Sequence, residues 1–196
     1  DIGEFTTRRP ETVSVEFTPA QRALHDALLD VIARILAFCH GQQNVKFMMT
    51  TIRRQAASCL YGLAPLLHDI LNGKLDQLEF METIDGEVDS DLSFVAEVRA
   101  DIEDLLQQAS RLDPIDPKVE AFVRVLTEKG TRTNNKALVF STFRHTLAYL
   151  ARHLQRTGLR FGVVHGDVPD DLRADLRRRF ALPKEDADAL DVLLSS

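Results

Sequence analysis

Two short runs hold the residues best suited to chemistry. In Phe140-Ser141-Thr142-Phe143-Arg144, two hydroxyls, the amides that open a helix and a guanidinium stand close enough in sequence to hold one phosphate. In His165-Gly166-Asp167, a glycine lets the backbone approach a ligand closely, and a helix carrying Arg173, Arg177, Arg178 and Arg179 follows. Two anion-ready tips of this kind suit a polymer of phosphates. The plainer reading is that Ser141 and Thr142 cap a helix and the arginines form a solvated face. Spacing by itself leaves both readings open.

Sharper chemistries fail on their residues. Gly73-Lys74 lacks the upstream glycine and the following Ser or Thr of a phosphate-cradling loop, and there is no GxGxxG, so the chain has no nucleotide fingerprint of its own. Ser141, His145 and Asp167 as nucleophile, base and orienter would need a serine on a strained, Gly-flanked elbow, which is not present. The histidines are dispersed, and Glu82, Asp85, Glu87, Asp89 and Asp91 lack the spacing and the closing bidentate Glu of a calcium loop. No metal is expected. Cys39 and Cys59 lie in apolar stretches with no Cys or His at ligand spacing, and read as buried thiols in a reducing compartment.

The elements that must position these tips divide the chain in two. Residues 11–17 alternate, with Val13, Val15 and Phe17 on one side, which predicts a half-buried strand. Thr18-Pro19-Ala20-Gln21 forms a capping box with Pro at the first helical position. The helix it starts shows Leu24, Leu28, Val31, Ile35 and Phe38 on one face and stops at Gly41. A second helical stretch is expected over 45–71, divided or kinked by Pro65, then an acidic loop over 73–91. A third helix over 91–112 presents Val95, Val98, Ile102, Leu105, Leu106 and Ala109. Residues 1–112 thus read as a mainly helical unit with a leading strand.

From 113 to 196 the grammar changes. Asp116 caps a helix opened by Pro117 and ending at Gly130. Strands are then predicted over 136–142, 160–165 and 191–195, with helices over 144–155 and 170–180 between them. This order means crossover units and a parallel sheet. The fold class is therefore α/β, a helical subdomain followed by a truncated parallel sheet with flanking helices. Ligands bind such sheets at the carboxyl ends of their strands, which puts both tips on one edge.

With 44% apolar and 28% charged residues among 196, the chain has the composition of an ordinary soluble protein. Its longest apolar stretch, 27–39, is broken by Asp30 and Arg34 and falls short of the roughly 18 to 20 residues of a membrane span. A cytoplasmic location without membrane attachment is expected, nucleoid-associated if the source is bacterial. The net charge of −6 hides an uneven distribution: +1 over 1–74, −11 over 75–117, +7 over 118–182 and −3 over 183–196. Nucleic acid follows the local patch rather than the total, so the basic third is where it would bind.

The residues also carry a resemblance. Asp116-Pro117-Lys118 before an apolar helix, then KALVFSTF, VVHGD, an Arg-bearing helix ending at Phe180 and DVLLSS, resemble in this order the second RecA-like lobe of superfamily 2 helicases, most of all the Swi/Snf-type DNA translocases. VSVEFTPAQ and the helices to Leu112 are similar to the helical protrusion of that lobe. The resemblance implies that Ser141, Thr142 and Arg144 lie against the phosphates of one strand, with Gly166 and Asp167 near the same strand. Asp170-Asp171-Leu172-Arg173 stands where related RNA helicases carry Gln-x-x-Arg, and only Arg173 matches. Arg53, Arg54 and Arg177 are secondary basic candidates.

DVLLSS looks like the opening of motif V, so the chain, which starts without Met, reads as a piece of a longer protein. The resemblance implies that the longer protein uses ATP and magnesium, bound mainly by a first lobe not present here. The piece itself is expected to be inactive, with duplex DNA and its own first motor lobe as partners. The alternative is a non-enzymatic interaction module whose acidic helical segment docks a protein partner.

Overall fold

The computed structural model describes residues 9–40, 53–63 and 93–196, apart from some side chains toward the end of the first helix and the start of the next long one. Helix α1 (Pro19–His40) begins as its capping box requires. The Gln21 amide donates to Thr18 Oγ1 (3.2 Å) and the Thr18 amide to Gln21 Oε1 (2.9 Å), satisfying two backbone donors reciprocally. Helix α2 (Ser93–Ser110) packs against α1, burying Ile102 and Leu105 with Leu24, Leu28, Val31 and Ile32. Each such side chain contributes about 1.5–3 kcal/mol. Arg34 Nη1 reaches Asp101 across the pair at 2.8 Å.

One prediction is corrected here. Residues 11–17 form no strand: Val13 is 55% exposed and only Val15 and Phe17 are half-buried. Alternation supplies a face to bury, but a strand also needs a neighbouring backbone, and no described strand lies alongside. Phe17 instead tilts onto His25 of α1, ring centroids 5.3 Å apart. Of the stretch predicted helical over 45–71, residues 53–58 are helical and Tyr61–Leu63 form a 3₁₀ turn; the remainder, with the acidic loop 73–91, lies outside the described residues. The side chains of Ile35, Phe38, Cys39, Val95 and Val98 lie outside them too.

Helix α3 (Pro117–Gly130) starts as predicted, with the Asp116 carboxylate accepting from the Lys118 amide at 2.9 Å. Then come β1 (Ala137–Phe140), α4 (Arg144–Leu154), β2 (Phe161–Val164), α5 (Asp170–Ala181) and β3 (Val192–Ser195). The three strands form a parallel sheet in the order β1-β3-β2, so β3, the last in sequence, is central and fully flanked. Val192 and Leu194 of β3 pack with Leu126 of α3 and Leu147 and Leu154 of α4 on one face. Leu193 packs with Leu176 and Leu190 on the other. The α5 side leaves β1 partly uncovered, with Leu138 49% and Phe140 70% exposed.

The helical segment 53–63 is bound to this α/β unit rather than held apart from it. Lys118 Nζ donates to the carbonyls of Ala57 (2.7 Å) and Ser58 (3.0 Å), Gln55 Nε2 meets His145 Nδ1 at 3.2 Å, and Ser58 and Thr146 share a hydroxyl hydrogen bond at 3.3 Å. Tyr61 closes the joint from the other side. Its hydroxyl accepts from Gln21 Nε2 of α1 at 2.9 Å and is directed at the carbonyls of Asp113 (2.9 Å) and Ile115 (3.3 Å).

Candidate nucleic-acid interface

Because β1, β3 and β2 run parallel, their carboxyl ends leave the sheet together. The register sets Phe140 beside Ser195 and Ser195 beside Val164, and the Ser141 amide donates to the Ser195 carbonyl at 3.0 Å. The runs 140–144 and 165–167 therefore emerge as neighbours on one edge. Ser141 Oγ accepts from the Phe143 amide at 3.2 Å, which tightens the turn into α4, while Thr142 is exposed. Phe143 takes the N-cap position of α4 and offers no side-chain cap. Of the two hydroxyls, one is thus a turn-forming acceptor and the other faces solvent.

The second tip has a different electrostatic character from the first. The 165–168 turn closes with the Val168 amide donating to the His165 carbonyl at 3.1 Å. Arg173 Nη2 holds it from α5, donating to the carbonyls of Gly166 (3.2 Å) and Val168 (2.9 Å). Three exposed carboxylates, Asp167, Asp170 and Asp171, gather here, and the latter two already answer the positive end of the α5 dipole. Gly166 does not adopt a positive φ, and a Cβ there would meet only Arg144 Nη2, at 3.9 Å. The structure gives this glycine a backbone any residue can adopt.

Arg144, the first residue of α4, joins the tips. Its Nη1 donates to Asp167 Oδ2 in an ion pair whose side chains are 45% and 66% exposed. A cleft of about 630 Å³ opens beside the first tip, lined by Ser141, Thr142 and Phe143 on one side and by Arg54, Lys118 and Phe122 on the other. Sequence separates Arg54 from Thr142 by 88 positions, and packing of 53–63 on α4 brings them to one cavity. Lys118 belongs to the same cavity, though its spacing marks it only as part of a helix start. Arg53 is exposed but does not line the cleft, and Arg177 is exposed on α5 away from it.

Nucleophilic chemistry finds no support in this geometry. Ser141, His145 and Asp167 are held by three different partners, the Phe143 amide, Gln55 and Arg144. Cys59, which also lines the cleft, is a buried free thiol whose pKa burial pushes up to about 12, so it stays protonated near neutrality. Among the described residues no group of three or more His, Cys, Asp or Glu could hold a metal ion. None of the helices described is long and apolar enough to cross a membrane.

No family model matches the chain, and no curated protein matches it. Among solved structures it is similar to the crystal structure of the C-terminal part of the Fun30 ATPase domain, at 17% identity and a TM-score of 0.47. The likeness covers 92% of this chain and 66% of that one, so the chain spans just under two thirds of the structure it matches.

Proposed function

We propose that this chain is the helical protrusion and the N-terminal part of the second RecA-like lobe of an ATP-dependent duplex-DNA translocase of the Swi/Snf type, and that it contributes contacts to the phosphate backbone. One observation carries the reading: Ser141 and Thr142 at the end of β1 share a cleft with Arg54 and Lys118, while Arg144 spans from that tip to the end of β2. Hydroxyls, helix-opening amides and guanidinium groups on one sheet edge form a surface that recognises phosphate and is indifferent to base sequence. The order of the sequence motifs supports the same reading.

Within the longer protein, ATP and magnesium would be bound mainly by the first lobe. This chain's described residues offer no metal donor set and its sequence no phosphate-cradling loop, so no catalytic step is assigned to them. The chain alone is expected to show no specific ATPase. What its residues do is hold phosphate while the lobes open and close.

The test is fluorescence anisotropy of the purified chain with a short labelled duplex over a range of salt. Binding should be insensitive to base sequence and fall with a log–log slope of about −2 to −4, as for two to four neutralised phosphates. Arg54→Ala should flatten that slope by about one. Absence of binding at low salt, or binding that ignores salt, would remove the phosphate role.

A further inference from the structure

The Arg144–Asp167 pair points to a contest within the interface, an inference that rests on the phosphate-contact reading above. Phosphate and carboxylate recognise a guanidinium by the same charge-assisted hydrogen bonds, so both cannot occupy one side of the fork together. Here the Asp167 carboxylate already sits on Arg144 Nη1. Nor does it hang there loosely. The turn that carries it is closed by the Val168–His165 hydrogen bond and clasped by Arg173 through the carbonyls on either side of Asp167, those of Gly166 and Val168. A backbone held in this way offers the carboxylate to Arg144 with no further cost in ordering the turn.

We infer that Asp167 is a resident anion that phosphate must displace from Arg144, so that the pair sets the affinity and the salt response of this edge. Arg173 then acts as a positioning residue for the turn rather than as a phosphate ligand, which accounts for its guanidinium facing backbone carbonyls. Asp167 is likewise a competitor and not a contact. While the pair is closed, the Asp167 carboxylate offsets the Arg144 charge. Opening the pair takes the Asp167 charge off Arg144, at the small cost of parting an exposed ion pair.

The experiment compares the wild-type chain, Asp167→Asn, Arg144→Ala and the double variant, first with the labelled duplex and then with tripolyphosphate by calorimetry. Both positions are exposed, and matching thermal unfolding curves will show that each variant folds. Asp167→Asn should tighten duplex binding several-fold and steepen the salt slope by about one. Removing Asp167 where Arg144 is already alanine should give a much smaller gain. Equal gains in the two backgrounds would mean that Asp167 only repels phosphate through space, and weaker binding by Asp167→Asn would mean that it orients Arg144; either overturns the exchange. If no protein binds the duplex, the nucleic-acid reading fails by itself. The tripolyphosphate series then decides the exchange, which stands only if Asp167→Asn tightens binding in an Arg144-dependent way.

Discussion

Asp191 and Arg160 show what a single pair does at the opposite end of the sheet from the candidate interface. The Asp191 carboxylate, with only 12% of its side chain exposed, accepts from Arg160 Nη2 (2.9 Å), Nε (3.0 Å) and the Arg160 amide (3.0 Å). The same guanidinium donates to the carbonyls of Asp186 (2.6 Å) and Lys184 (2.8 Å), fastening the loop that leads into β3. These hydrogen bonds hold the Asp191 carboxyl below its ordinary pKa. A carboxylate with a depressed folded-state pKa stabilises the fold above the unfolded value of about 3.9, and that contribution is lost as pH falls through the folded value. Asp191→Asn should therefore cost about 1–3 kcal/mol at pH 7. The gap between variant and wild type should narrow below about pH 4. Urea midpoints at neutral and acid pH would measure both.

At the scale of elements, the joint between the 3₁₀ turn Tyr61–Leu63 and α4 explains why 53–63 stays on the α/β unit. Gly62 is buried, its amide donates to Cys59 Sγ at 3.1 Å, and a Cβ added there would stand 2.6 Å from that sulfur, 3.4 Å from His145 Cδ2 and 3.5 Å from Tyr149 Cβ. Cysteine is short and its sulfur is held by the hydrogen bond, so the clash cannot be relieved by swinging a flexible chain end. Gly62→Ala should destabilise by about 1–3 kcal/mol through overpacking, read as a lowered denaturant midpoint. It should also weaken duplex binding, because the element it displaces carries Arg54 to the cleft. Unchanged stability and binding would show that the turn moves without disturbing the cleft.

For the whole molecule, a few side chains fasten the helical portion to the sheet. Tyr61 receives a hydrogen bond from α1 and is directed at the segment before α3, and Tyr149 of α4 donates to the buried Asp116 carboxylate at 3.0 Å, stacking on Tyr61 with ring centroids 6.3 Å apart. Unfolding of the described residues should accordingly be one cooperative transition followed alike by helix and aromatic signals. Tyr61→Phe removes the hydroxyl that joins α1 to that segment and should cost about 1–2 kcal/mol. Two separated transitions in the wild-type chain would mean that the helical pair α1–α2 folds as a unit of its own.

The sequence by itself determined what depends on near neighbours. The Thr18–Gln21 capping box, the Asp116-Pro117 start of α3, the apolar faces of α1 and α2 and the strand–helix alternation after residue 136 are written in spacings of two, three and four, and local backbone geometry enforces them. Both candidate tips were legible for the same reason, since a parallel sheet sends its strand ends to one edge. Tertiary structure alone decided which side chains meet there. Arg54 meets Thr142 and Lys118 in one cleft because 53–63 packs on α4 and α3, Asp167 meets Arg144 because the ends of β1 and β2 leave the sheet at the same edge, and 11–17 forms no strand because alternation cannot supply a neighbouring one. Contacts between residues tens of positions apart follow from how whole faces bury apolar surface, and no short window of sequence contains that information.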